Sequence, residues 1–246
     1  MVPGPSLIRT ARRAGSSSHH HGSHRPLLGA VRPIESADPV ELVVVPSCRR
    51  VADLRRAVRL TQYLGSELLV LASGRCTAGS VVDRYRGHLP GRLTAVDTSA
   101  EQPCFEHDLR FEADSISHRL SSRRSDVSRK RNLALLLARA SGVRRLLFLD
   151  DDVAVPDRGD VRRATGGLDQ GFTTVGLPVG QFPDHSVVCH AHRLAGGAQD
   201  GFIGAGALLV DPQRITSFFP DIYNEDWLFI LDEVAAGAVA TVGRAV

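Results

Sequence analysis

The sequence predicts an α/β protein built on a mostly parallel, doubly wound sheet, and three observations carry that prediction. Short continuous apolar runs at 42–45, 68–71 and 146–149 have the length and the valine- and leucine-rich composition of strands buried on both faces. Segments with apolar residues at helical spacing lie between them, giving the alternation of strand and helix that feeds a parallel sheet. The chain has 246 residues, 43% hydrophobic and 23% charged, which is enough to bury one substantial core.

In chain order, residues 1–38 are rich in Pro, Gly, Ser, Arg and His without a sustained apolar period, and predict a disordered leader. Within it, residues 16–24 resemble an expression tag with few histidines and are set aside. The folded domain is predicted over 39–246. It opens with a β-branched strand at 41–46, stopped by Pro46. From 50 to 64, Val51, Leu54, Val58 and Thr61 recur at helical spacing. A second core strand spans 67–71, with Ala72, Ser73 and Gly74 as the loop at its end. Thr77 caps a short helix to about Tyr85, and 93–96 forms a weaker third strand.

Asp126 is the expected N-cap of a helix running to about Ala140, with Leu133, Leu136, Leu137 and Ala140 on its buried face and Gly142 at its end. The strand at 146–149 follows. Further elements are a helix at 161–168, strands at 173–177 and 186–192, and a glycine-rich loop leading into a strand over 200–210. Asp211 and Pro212 open a short helix. Asn224 caps a last helix with Trp227, Leu228 and Leu231 on its apolar side.

Asp150, Asp151 and Asp152 follow the strand at 146–149 with no cation between them. Three carboxylates at the rim of a core repel one another and are costly to desolvate. A divalent cation removes that cost, and hard oxygen ligands suit Mg²⁺ or Mn²⁺. Open α/β sheets hold ligands outside the carboxyl ends of their strands, which is where this triplet lies. The plain alternative is a solvated turn or a helix N-cap.

Composition narrows the function classes. A net charge of +3, arginines spread along the chain and few aromatics do not make a nucleic-acid-binding protein. Cys48, Cys76, Cys104 and Cys189 lack C-x-x-C spacing and read as free thiols of a reducing compartment. No apolar run is long enough for a transmembrane segment, and no signal-peptide core is present. A soluble, cytoplasmic protein is the expectation. His185, His190 and His192 around Cys189 lack the second ligand pair of a zinc site and read as structural or acceptor-lining residues.

Taken together, residues 41 to about 236 resemble a glycosyltransferase of the GT-A fold, nearest to the family 2-like group. The resemblance is carried by Val45-Pro46-Ser47 at the end of the first strand and by Lys130-Arg131-Asn132 on the helix before the acidic strand. Asp150-Asp151-Asp152 is similar to the family's Asp-x-Asp motif, and Glu225-Asp226 to its late acidic pair. Two departures stand out. Ala72-Ser73-Gly74 replaces the acidic residue that usually ends the second strand, and no histidine follows His192. The chain also stops soon after Glu225-Asp226, as a copy truncated at its C-terminus would.

The resemblance implies a metal-dependent transferase moving a sugar from a UDP- or GDP-sugar donor to a hydroxyl acceptor, with inversion. Asp150 and Asp152 would bind Mn²⁺ or Mg²⁺. Pro46, Ser47, Lys130, Arg131, Asn132, Asp150 and Asp151 would line the donor site, with Asp151 alternatively facing solvent. Asp226, or else Glu225, would be the catalytic base, kept ionised by the helix N-terminus. For Lys130 and Arg131 a solvated helix face is the alternative, and for Glu225-Asp226 a first helical turn serving the dipole alone. Gly201, Gly204 and Gly206 would let backbone approach a substrate or form a bulge. Trp227 reads as a core anchor.

Three other readings compete. A non-catalytic or degenerate nucleotide-binding module of the same fold is favoured by Ala72-Ser73-Gly74 and the abrupt end, and opposed by the intact acidic triplet and Glu225-Asp226. A nucleotidyltransferase would carry a glycine-rich, lysine-bearing loop after the first strand, where Pro46-Ser47-Cys48-Arg49-Arg50 stands. A response-regulator-like domain would carry an acidic pair at the same place.

Overall fold

A computed structural model describes residues 27–34, 36, 38–98, 126–179, 203–222 and 224–246. Its strands are β1 (Gly29–Ala30), β2 (Leu42–Ser47), β3 (Glu67–Ala72), β4 (Leu93–Asp97), β5 (Leu146–Leu149), β6 (Thr174–Gly176), β7 (Ala207–Val210) and β8 (Val239–Thr241). They form one sheet in the order β1-β8-β6-β7-β5-β2-β3-β4. Every pairing is parallel except the two made by β7, with β5 and with β6. This is the mostly parallel sheet that the alternation of elements predicts.

The helices are α1 (Arg55–Leu64, entered through a 3-10 turn at Val51–Leu54), α2 (Ala78–Tyr85), α3 (Val127–Ala140), α4 (Gly159–Asp169), α5 (Glu225–Phe229) and α6 (Leu231–Ala235). They cover both faces of the sheet. Leu54 of the 3-10 turn, Val58 of α1, Val81 of α2 and Val161 of α4 join one core cluster. Leu135 and Ala138 of α3 join the other, with Phe219, Phe229 and Ile230. The sheet is thus doubly wound, as expected.

The strand order reverses between β2 and β5. The chain moves outward from β2 through β3 to β4, then returns to pair β5 on the other side of β2. Pairing of β2 with β5 ends at Val44 and Phe148, whereas pairing with β3 continues to Ser47. Pro46, which has no N–H to donate, lies where β2 and β5 have parted. A crevice opens there, at the carboxyl ends of both strands.

Local chemistry accounts for several boundaries. Thr77 caps α2 as predicted, in a reciprocal capping box with Ser80. Gly65 and Gly142, both with positive φ, end α1 and follow α3. Asp126 precedes α3 but makes no side-chain cap bond; its carboxylate pairs with Lys130 at 3.0 Å. The buried stripe of α3 is also not the predicted one. Leu133 is buried, but Leu137 and Ala140 are exposed, and Ser128, Arg131, Asn132, Leu135 and Ala138 face the core.

The predicted leader reaches too far. Gly29 and Ala30 add β1 to the edge of the sheet beside β8, and Gly29 is pressed so close to the ring of Phe172 that a side chain would collide with it. Residues 212–214 form a hydrogen-bonded turn anchored by Asp211, not a helix. Asn224 does not cap α5. It holds a left-handed φ of 62° without a cap bond, and Phe229 and Ile230 are buried where Leu228 and Leu231 are exposed. The predicted strand at 186–192 lies outside the described residues. Among the described residues no helix is long and apolar enough to cross a membrane.

The end of the chain is tied to the region after β5. Ala154 and Val246 exchange two backbone hydrogen bonds of 2.7 and 2.8 Å, and the Arg244 N–H donates to Asp160 at 3.1 Å.

Candidate functional site

The acidic triplet sits at the mouth of the crevice, and its three carboxylates have different environments. Asp151 is only 7% exposed. It accepts a 2.6 Å hydrogen bond from the Ser47 hydroxyl, which ties the end of β2 to the turn after β5. Burial pushes the Asp151 carboxyl up, against the opposing pull of Ser47 and Arg49. The idea that Asp151 faces solvent is therefore corrected: it pins the crevice together. Asp152 is 41% exposed and pairs with Arg49 at 2.8 Å. Arg49 also lies 3.6 Å from Asp151, and these two charges hold its pKa up against a small burial effect.

Asp150 turns the other way, to Arg131. The two guanidinium arms of Arg131 reach Asp150 at 2.8 Å and Glu225 at 2.7 Å, while its Nε is buried without a partner. Burial alone would lower the pKa of Arg131; Asp150, Glu225 and Asp226 outweigh it and leave it raised. The guanidinium rests over Phe219, 5.4 Å from the ring centre. Phe219 is itself stacked on Phe229 at 3.8 Å, so the arginine sits on a rigid aromatic floor.

Glu225 and Asp226 open α5 beside this cation. The Asp226 carboxylate accepts from the N–H groups of Ala205 at 3.3 Å and Trp227 at 3.0 Å. Gly206 follows Ala205, and its carbonyl accepts from the N–H of Asp150 at 3.0 Å. A Cβ on Gly206 would meet the Asp150 carboxylate at 3.2 Å, so glycine here lets β7 approach the acidic turn. Burial raises the pKa of both Glu225 and Asp226, with Arg131 opposing in each case. The expected dominance of a helix N-terminus is corrected: α5 has five residues, and desolvation is the larger influence.

Two predicted donor-site residues have structural partners instead. Lys130 is buried, and its ammonium is engaged by the Ser47 carbonyl at 3.0 Å, Ser73 at 2.7 Å and Asp126 at 3.0 Å. Asn132 is buried and exchanges two 2.8 Å hydrogen bonds with the backbone of Phe219. Both brace the crevice from behind. Pro46 and Ser47 stand at its edge, at the end of β2. Cys48 and Cys76 are free thiols. Cys104, Cys189, His185, His190, His192 and Gly201 lie outside the described residues.

Sequence reasoning passed over Arg49. Its signal was its place, two residues beyond Ser47 in the loop that leaves the central strand. Among the described residues no three carboxylate, imidazole or thiol groups converge as a ready metal cluster. The donor chemistry nevertheless fits Mg²⁺ or Mn²⁺, which take one or two carboxylates and fill the remaining positions with water and phosphate oxygens.

No family model matches the sequence, and no curated protein matches it with significance. Solved structures do match. A mannosyltransferase from Pyrobaculum calidifontis, in complex with GDP-Man and Mn²⁺, superposes with a TM-score of 0.56 at 17% identity, over 87% of this chain and 57% of that one. TarS from S. aureus, in complex with UDP-GlcNAc, superposes with a TM-score of 0.50 at 14% identity, over 81% of this chain and 55% of that one. This chain therefore spans little more than half the length of either structure. These superpositions, over a chain whose own strand order reverses at β2 and β5, establish that it has the GT-A fold.

Proposed function

We propose that the protein is a metal-dependent glycosyltransferase that moves a sugar from a UDP- or GDP-sugar to a hydroxyl acceptor, with inversion. The observation that carries this reading is Arg131. It joins Asp150, at the acidic turn where a diphosphate would be held, to the Glu225-Asp226 pair that supplies a base. The solved transferases of the same fold were captured with GDP-Man and Mn²⁺ or with UDP-GlcNAc, which supports the donor class.

Asp152, the exposed carboxylate, would hold the metal, with Asp150 beside it. A bound Mn²⁺ or Mg²⁺ would supply Lewis-acid neutralisation of the diphosphate's charge there. Ser47 and Asp151 fix the crevice walls, so the donor meets a preformed edge. Glu225 is committed to Arg131, which leaves Asp226 to take the proton from the acceptor hydroxyl as its oxygen attacks the anomeric carbon. Attack opposite the leaving diphosphate inverts that carbon.

Thermal unfolding with UDP or GDP, each with and without Mn²⁺, tests the reading. Ligand present at 100 times its Kd stabilises the native state by about 2.7 kcal/mol. The expected result is a rise in melting temperature that needs nucleotide and metal together and is lost in Asp152→Ala. A non-catalytic module of this fold would give the same shift without sugar transfer. No shift with either nucleotide removes the donor site.

Arg49 gives a second, quantitative expectation. It neutralises Asp152 where the metal would bind, so it competes with the ion. Exposed pairs of this kind contribute ~0.2–1 kcal/mol, so Arg49→Ala lowers the half-saturating Mn²⁺ concentration by about 1.4- to fivefold. Isothermal titration with Mn²⁺ in the presence of nucleotide measures it, and an unchanged or higher requirement refutes the competition.

A further inference from the structure

The outer side of the α1–α4 layer carries charges that the crevice does not use. Along α1 the exposed positions include Arg55, Arg56, Arg59 and Tyr63, while Ala57, Val58, Leu60 and Thr61 face the core. Arg158 and Arg162 are exposed one turn apart at the start of α4. The two stripes meet at Tyr63, which is 42% exposed. Its ring lies 4.8 Å from the guanidinium of Arg158 and 5.5 Å from that of Arg162.

These five arginines lack carboxylate partners among the described residues. Among the described residues Arg56 donates to the backbone carbonyl of Asp152, at 3.1 Å. Between residues 49 and 64 the only acidic side chain is Asp53. Asp157 and Asp160, at the start of α4, are taken by Arg163. Like charges gathered on one face repel one another, and an anionic surface relieves that repulsion.

Apolar groups accompany them. The 34–36 segment lies along α4: the Ser36 N–H donates to the Arg162 carbonyl at 3.4 Å, and Gly166 leaves space for the carbonyl of Ile34. The side chain of Ile34 emerges there 56% exposed. Between this segment, the end of α1 and α4 opens a cavity of about 340 Å³ of mixed lining: Pro39, Val40, Leu64 and Val161 with Ser36, Thr165, Arg162 and Asp38, whose carboxylate is paired with Arg145 at 2.8 Å.

We propose that this face docks on an anionic phospholipid bilayer. Arginine stems lie along apolar surface while their heads meet phosphates, and an exposed isoleucine and tyrosine suit the interfacial layer. Charge alone would serve a polynucleotide equally well. The exposed side chain of Ile34 has nothing to offer a sugar-phosphate backbone, however. The one aromatic ring on the face is already flanked by two guanidiniums, so bases lack a stacking platform. Lipid is the occupant that uses both the charges and the apolar groups. The proposal rests on surface residues outside the crevice and stands apart from the transfer reaction.

Co-sedimentation of the full chain with phosphatidylcholine vesicles, with and without phosphatidylglycerol, tests it. Binding is expected to the anionic vesicles alone, and to weaken as salt is raised from about 0.1 M to about 1 M and the Debye length shortens. The triple variant Arg55→Gln, Arg59→Gln, Arg162→Gln reduces partitioning about 100-fold, since each arginine near an anionic surface contributes about 1 kcal/mol. Its melting temperature and its response to nucleotide stay unchanged. Ile34→Ser weakens vesicle binding in the unaltered arginine background. Equal binding to neutral vesicles, full binding by the triple variant, or tighter binding to an RNA or DNA duplex at matched phosphate concentration overturns the proposal.

Discussion

Asp226→Asn lowers the rate of sugar transfer by ~10²–10⁴-fold, the range that a positioned general base contributes, while nucleotide affinity holds. Asparagine keeps the shape and one acceptor oxygen, enough for one of the two N–H groups of Ala205 and Trp227, so the variant removes the proton acceptor together with one backbone hydrogen bond. Glu225→Gln has a smaller effect on turnover, because that carboxylate is engaged by Arg131. The pH profile makes the test sharper. Burial raises the Asp226 carboxyl, so it stays protonated at pH values where an exposed aspartate is ionised. A base must be ionised, and turnover therefore falls as pH drops through a midpoint above the ordinary aspartate range. Stability runs the other way. The folded state holds this proton more tightly than the unfolded chain, so the contribution is full below the unfolded pKa and is lost as pH rises through the folded one. Steady-state rates against pH, with binding measured separately, decide it; a variant that keeps wild-type turnover removes Asp226 from the mechanism.

Arg131→Met destabilises the fold by about 3 kcal/mol, the low end of the cost of stripping one partner from a buried ion pair. The low end applies because Asp150 is partly exposed and water can solvate it, whereas Glu225 cannot be reached as easily. Methionine fills part of the space above Phe219 but leaves both carboxylates facing each other without a cation. Urea unfolding reads the loss as a lower midpoint at unchanged slope. Adding Glu225→Gln to Arg131→Met restores part of the stability, because the glutamine needs no counter-charge. A loss within that of an ordinary surface substitution, or no recovery in the double variant, would show that the arginine does not hold the site together.

The central strands were legible because they are buried on both faces. Runs such as Leu-Val-Val-Val at 42–45 and Leu-Leu-Phe-Leu at 146–149 have one physical interpretation once helices are placed between them. The acidic triplet was legible as a site because carboxylates at a strand end need an explanation. The orientation of each carboxylate was not. Asp151 is buried through Ser47, 104 residues away, and no local pattern announces such a partner. The face of α3 was misread for the same reason. Lys130, Arg131 and Asn132 score as outward residues until Ser73, Glu225 and the backbone of Phe219 are brought against them. β1 escaped notice because two residues carry no period; α5 was foreseen, but its cap and buried face were not, because Asn224 takes a left-handed turn in place of a cap.

The parting of β2 and β5 beyond Val44 also bears on how the chain reaches its final state. The pairing of β2 with β3 joins Leu42 to Glu67, a short loop to close, whereas β2 meets β5 only by joining Leu42 to Leu146. Closing the longer loop costs more chain entropy before any contact rewards it. The β2–β3–β4 half can assemble from near neighbours, but the crevice exists only after the distant half has docked. The Ser47–Asp151 contact is then expected among the last to form, so the proposed donor site is completed only with the completion of folding, not before it.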